Sequence, residues 1–325
     1  MTGTSVSTPD GASRDAEGPQ DSVTKVGLPV CGVSLRFQTA GRRAEQHMAD
    51  ERFRTVDKER PAIWSLTSKL FDRLLLPAFW ALSRGPRIFM FHSVGVQPVS
   101  LFTGEVGPHA SPELFEAFTG WLVRHAKVVT ASELARITVD NRHPRERFAA
   151  ITLDDGYEDN YSVALPILVR HQVPATVFLT SAMVRLNPTD PGGGLSQCQI
   201  KEMVSSGIEF GAHSVTHPYL TRIPLREAEQ EISESKEFVE ALTASRCEGF
   251  CYPYGAFDDR VAQLVKSSGF SYAVTTRDRL LRNADPFLLP RTVLTEDSRR
   301  TEFAVRLSGA HAWRQSFYQA VKWLR

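Results

Sequence analysis

The chain of 325 residues has no run of eighteen or more apolar residues, so the sequence offers no membrane-spanning helix. Its four cysteines, Cys31, Cys198, Cys247 and Cys251, form no CxxC pair. That excludes a zinc ribbon, provides no disulfide framework, and leads us to expect reduced thiols. Neither sign of charge dominates. The formal net charge is +1, which gives no pull toward nucleic acid. The N-terminus lacks the basic region and apolar core of a signal peptide, so a cytoplasmic location is expected. Residues 1–60 also lack a sustained period. They open small and polar, and are expected to form a disordered or irregular extension.

Apolar residues make up 42% of the chain and charged residues 23%, enough to build a sizeable core. Residues 61–87 read as an amphipathic helical lead-in, interrupted near Pro77, with basic residues among aromatics. Such a segment either packs on the domain or lies along a membrane interface. From 88 to 297 the pattern alternates. "IFMFHSV", "KVVT", "FAAITLDD", "ATVFLT", "IEFGAHS", "GFCYPYG" and "SYAVTT" are strand-like, and helical periods separate most of them. Alternation of this kind predicts an α/β fold with a parallel sheet. Seven or eight units in about 220 residues suit a (β/α) barrel, in which chemistry sits where strands end. Residues 298–325 carry basic residues interleaved with Trp313, Phe317, Tyr318 and Trp323. This basic amphipathic helix is expected either to cover the barrel or to touch an anionic membrane at its inner face.

Two adjacent carboxylates, Asp154 and Asp155, end one strand-like run. Their mutual repulsion needs an offset: a metal ion, a shared proton or an arginine. His213 and His217 follow another run at i, i+4, a spacing that lets both face one metal. One aspartate with two histidines leaves a coordination position open for water, as in a catalytic zinc site. The residues between the histidines are Ser214, Val215 and Thr216, so the glutamate of a zincin is missing. In "YPYG", Pro253 and Gly255 shape a tight turn able to aim the Tyr254 N–H into the site as an oxyanion donor.

In this order, "TLDDG", "HSVTHP" and "YPYG" resemble the three motifs of the polysaccharide deacetylase family, carbohydrate esterases of the NodB-homology type, over roughly residues 86–295. The resemblance implies a distorted (β/α) barrel of about seven strands and metal-dependent hydrolysis of an N-acetyl or similar acyl group on a sugar. It implies Asp155, His213 and His217 as ligands of a divalent metal, zinc first among several. It also implies Asp154 as general base and the Tyr254 N–H as oxyanion donor. Two positions depart from the family pattern. Cys251 stands where the third motif has an arginine that orients the base; Arg291, in "LLPRTVL", is the candidate substitute, or else a surface ion pair. No late strand-borne histidine supplies the general acid, since His311 lies in a helical run. His92, directly after an apolar strand, takes that role in what resembles a circularly permuted exopolysaccharide-deacetylase subgroup, across the scissile bond from Asp154; otherwise it is a histidine buried under a loop.

The expected substrate is an N-acylated sugar of a bacterial surface glycan or its precursor. Peptidoglycan or chitin deacetylation and deformylation of a lipid-linked amino sugar are the alternatives within the enzyme class. A catalytically inactive, glycan-binding barrel is the alternative outside it. Oligomeric state is not legible.

Overall fold

The computed structural model describes residues 62–317, apart from 84, 96–97, 99–106, 140–145, 186–192, 279–280, 282–283, 295, 297, 299, 312 and 315. The N-terminal extension expected for residues 1–60 lies outside the described residues.

Ten strands are described: β1 (Arg87–Phe91), β2 (Ser93–Val94), β3 (His109–Ala110), β4 (Lys127–Val128), β5 (Phe148–Asp155), β6 (Thr176–Leu179), β7 (Glu209–Ala212), β8 (Gly249–Cys251), β9 (Tyr272–Val274) and β10 (Thr292–Val293). Eight of them form one sheet in the order β10-β1-β5-β6-β7-β8-β9, with β4 added beside β5, and β2 pairs with β3 separately. Every pairing between these strands is parallel. The segment just before β10 joins the two ends of the sheet. Leu289 bridges Val274 of β9, while Thr292 and Val293 pair with Phe89 and Met90 of β1. A curled parallel sheet with helices outside is the (β/α) barrel the alternation predicts, distorted as the resemblance implies.

The two-residue period of the strands decides what lies inside. Phe89, Ile151, Leu153, Val177, Leu179, Phe210, Phe250 and Ala273 point outward and belong to the cluster shared with the helices. Ile88, Ala150, Phe178, Cys251, Tyr272 and Val274 point inward and form a separate cluster with Leu289. Gly211 is bare because the Phe178 ring occupies that space. A Cβ there would sit 2.5 Å from the ring.

Outside the sheet lie α1 (Ala62–Leu74), α2 (Leu76–Leu82), α3 (Pro112–Leu122), α4 (Ala131–Val139), α5 (Leu165–Arg170), α6 (Gln197–Ser205), α7 (Leu225–Thr243), α8 (Asp259–Ser267) and α9 (Arg300–Ser308). Ser111 caps α3 by accepting from the Leu114 N–H, and Ser196 with Gln199 forms a capping box on α6. The expected break in the lead-in falls at Leu75, two residues before Pro77. The C-terminal segment, described to residue 317, packs on the molecule: Phe71 of α1 lies among Val305, Ala310 and Phe317. Its basic residues are partly engaged. Arg306 pairs with Glu302 and Asp278, and Arg314 with Glu302 and Asp72. Tyr318 and Trp323 lie outside the described residues.

Candidate active site

On β5, Ala150 and Thr152 point into the barrel, and the period carries Asp154 there too. Asp155 would then point out toward the helices. Instead its φ is 72°, the left-handed region, and the strand ends by turning the second carboxylate back toward the first. A side chain in that region costs about 1–2 kcal/mol, so the surroundings hold it there. Gly156 follows with φ 82° and completes the turn.

Asp154 is buried and meets Arg291 in a two-pronged pair. Nη1 donates to Oδ1 and Nη2 to Oδ2, each at 2.7 Å. Arg291 is itself fixed by donating from Nε to the Thr275 carbonyl (3.0 Å) and from Nη1 to the Thr152 hydroxyl (3.2 Å). Burial pushes the Asp154 carboxyl up, but the Arg291 guanidinium overrides it and holds the group well below the usual carboxylate range. Arg291 thus fills the place of the absent motif arginine. Its Nη2 lies 3.2 Å from the Cys251 sulfur, the residue that stands there instead. It immediately precedes β10, in the segment that closes the sheet.

Asp155 carries a different offset. Its Oδ1 is buried and accepts no hydrogen bond. It lies 3.6 Å from His213 Nε2 and 3.5 Å from His217 Nε2, which are 3.1 Å from each other. A tetrahedral ion with bonds of about 2.0–2.1 Å requires ligand atoms about 3.3 Å apart. His213 Nδ1 lies 2.7 Å from the Cys251 carbonyl, an acceptor only. The proton is therefore on Nδ1, and the Nε2 lone pair faces the other two ligand atoms. Burial, and then the neighbouring His217, push the His213 imidazole down to about 4. Burial, and then His92, do the same to His217. Both rings are neutral at pH 7, the state a ligand needs. The donor set fits a divalent cation. A second cluster, Asp154, His213 and Cys251, also converges. It is a poor cage: both oxygens of Asp154 already accept from Arg291, and burial holds the Cys251 thiol protonated.

His92, one residue past β1, places Nε2 3.8 Å from Asp154 Oδ2. It stands beside the expected base rather than across from it. Strand pairing explains this, because β1 and β5 are neighbours and Phe91 is in register with Leu153. The His92 carbonyl accepts from Asn160 Nδ2 at 2.8 Å. Asn160 begins a π turn (residues 160–164), in which the Leu165 N–H reaches the Asn160 carbonyl ahead of Pro166.

Tyr254 has φ 58° in the Pro253–Gly255 turn. Its ring lies edge-on to His217 (centroids 4.5 Å apart) and stacks on Tyr219 at 3.9 Å and 8°. His311 is elsewhere, 4.0 Å from Asp278. The sequence reading missed Thr152, Tyr219, Asn160 and Tyr157; burial, and then the nearby Asp155 carboxylate, push the Tyr157 phenol above its usual range. Tyr157 sits two residues past Asp155 in a turn, and its position there was the available signal. Thr152 was legible from the strand period alone. Cys198, Cys247 and Cys251 are free thiols, as expected.

Residues 141–273 match the family model described as polysaccharide deacetylase. A poly-β-1,6-N-acetyl-D-glucosamine N-deacetylase of Staphylococcus aureus strain MRSA252 is 25% identical over 199 residues, 58% of this chain and 68% of that protein. The Bacillus subtilis protein YxkH is 27% identical over 163 residues, 50% of this chain; the match spans only 57% of that relative. Among solved structures, the Streptococcus pyogenes deacetylase PplD in complex with acetate superposes with a TM-score of 0.62 at 22% identity, covering 69% of this chain and 99% of that one. IcaB from Ammonifex degensii superposes at 0.57 and 22%, covering 69% and 97%. At these identities the structural likeness is one of fold.

Proposed function

We propose that this chain belongs with the polysaccharide deacetylases that its residues 141–273 match, and is a divalent-metal-dependent hydrolase that removes an N-acetyl or similar acyl group from an amino sugar in a glycan. The observation that carries the proposal is the pairing of two adjacent aspartates with different partners. Asp154 is locked to Arg291, and Asp155 faces His213 and His217.

Asp155, His213 and His217 would hold the ion. Bound there, a divalent cation, zinc first among the candidates, supplies an acidified water and a Lewis acid for the acyl oxygen. The rest is the work of the chain. Asp154 stays ionised because of Arg291 and accepts the proton of the attacking water. Its low basicity means that it passes the proton on rather than keeping it. His92 Nε2, 3.8 Å away, is the group placed to receive that proton and deliver it to the departing nitrogen. The turn at Tyr254 presents its N–H to the developing oxyanion. Loss of the base or the acid would favour a non-catalytic barrel, and this chain keeps both Asp154 and His92.

The first substrate to test is β-1,6-linked poly-N-acetylglucosamine, because the staphylococcal relative is named for it. Chitin, peptidoglycan and a formylated lipid-linked amino sugar are the comparison arms. We expect acetate release from the β-1,6 polymer by the zinc-loaded chain and none by His213→Ala. No release from any arm overturns the reading.

The proposal places the chain in the cytoplasm, with peripheral contact at the inner membrane face. No described helix is long and apolar enough to cross a membrane. The support is three exposed apolar side chains in the lead-in helices and the C-terminal segment, Leu74, Leu82 and Trp313, at 63%, 85% and 61%. Equal flotation with neutral and anionic vesicles would count against an anionic surface.

A further inference from the structure

His213 and His217 belong to a loop that leaves β7 and must turn twice against its own backbone preferences. Ser214 has φ 63° and His217 φ 58°, so two side-chain-bearing residues occupy the left-handed region within four positions. An isolated loop of this sequence would not hold that shape, yet the ligand atoms need it. The bonds that impose it come from three directions. The Ser181 and Ala182 N–H groups donate to the Ser214 and Val215 carbonyls at 3.2 and 2.9 Å. Ser214 Oγ accepts the His217 N–H at 3.0 Å. On the remaining side stands Glu231, in the second turn of α7. Its Oε2 accepts the N–H groups of both Val215 and Thr216 at 2.8 Å, and its Oε1 accepts the Thr216 hydroxyl at 2.6 Å.

We propose that Glu231 is a positioning residue for the metal site: its carboxylate clamps the backbone between the two histidines and so sets the distance between their Nε2 atoms. The inference rests on the reading that Asp155, His213 and His217 hold a divalent ion, and goes beyond it by assigning part of that affinity to a side chain on a separate helix. Three hydrogen bonds to one carboxylate, two of them from consecutive amides, are charge-assisted and shape-selective. Glu231 is not one of the three candidate ligands. It acts on the ligands through the loop, as outer groups of metal sites do.

The test measures zinc affinity of the full chain by competition with a chromophoric chelator, alongside the melting temperature of zinc-free protein. Glu231→Ala is expected to bind zinc at least about tenfold more weakly. Glu231→Gln should fall between Ala and parent, because one carbonyl oxygen can still accept both amides. Glu234→Ala, an exposed change on the same helix, should match the parent. Zinc-free Glu231→Ala should melt near the parent, and its activity should recover when zinc is raised to saturation. Two results overturn the clamp: zinc affinity of Glu231→Ala equal to the parent's, or weakened binding together with a lowered zinc-free melting temperature and no rescue by glutamine. A parent that binds no zinc, or a His213→Ala variant that binds it normally, overturns the site itself and the clamp with it.

Discussion

Asp154 and Asp155 share a strand end and differ in what each one faces. Asp154 has both oxygens occupied by a guanidinium, whereas Asp155 keeps a buried oxygen free of hydrogen bonds opposite two imidazoles. Exchanging the two aspartates' roles would therefore leave Arg291 without a partner and the histidines without a third ligand. Asp154→Asn is expected to retain zinc and lose activity by about 10²–10⁴-fold, the range for a general base. His92→Ala should lose kcat strongly with zinc retained, and His311→Ala should stay near parent. Stoichiometric zinc with near-parent turnover in Asp154→Asn would remove Asp154 from the mechanism. The histidines also make the zinc-free protein sensitive to acid. Their folded values, about 4, lie below the 6.5 of a free imidazole. The unfolded chain therefore takes up protons first. The stabilisation from neutral burial is complete above pH 6.5 and is lost as pH falls toward 4. Urea midpoints of chelator-treated protein should decline across that window, and less steeply in His213→Asn. A flat midpoint from pH 7 to 4.5 would contradict the burial of both rings.

At the scale of elements, strands and helices were legible where period and caps agree. β5 falls on the strand-like run that predicts it, and α3 and α6 begin at the serine caps Ser111 and Ser196. Of the two-residue strands, β2 and β4 fall inside longer strand-like runs, whereas β3 has no such run around it and went unseen. The turning-in of Asp155 was not legible either. A left-handed aspartate is chosen by the packing around it, not by a local sequence preference. The inward face of the barrel offers a separate check. The Phe178 ring fills the space above Gly211, which a Cβ would enter at 2.5 Å. Gly211→Ala should therefore destabilise by about 1–3 kcal/mol through overpacking. Phe178→Leu in the same chain should return part of that loss, and urea unfolding of the two single variants and the double variant measures the coupling. Strict additivity would mean that the ring does not need the missing side chain.

For the whole molecule, closing the sheet and building the site are one event, because the same short segment does both. Leu289 is bonded to β9 and Thr292–Val293 to β1, and Arg291, in the two-residue stretch between them, reaches Thr275 beyond β9, Thr152 and Asp154 on β5, and Cys251 on β8. The sequence showed Arg291 as a candidate because an arginine was missing elsewhere. It could not show that the substitute arrives from the closing strand, since that depends on which strands become neighbours. His92 stands beside Asp154 for a different reason, the pairing of β1 with β5. Removing Arg291 should then act on stability and on catalysis together. Arg291→Ala strands a buried carboxylate, which is expected to cost about 3–5 kcal/mol. Burial would then act on Asp154 with only His92 and His213 to oppose it, and raise its pKa. A base is active only above its own pKa, so the acid limb of the kcat/KM profile should move to higher pH. At pH values where the parent is fully active, the variant should regain rate as pH rises, provided that it is assayed at a temperature where it stays folded. Asp154→Asn combined with Arg291→Ala should be more stable than Arg291→Ala alone, because no stranded charge remains. If the acid limb does not move, or if the double variant is the less stable of the two, Arg291 is not what holds Asp154 ionised.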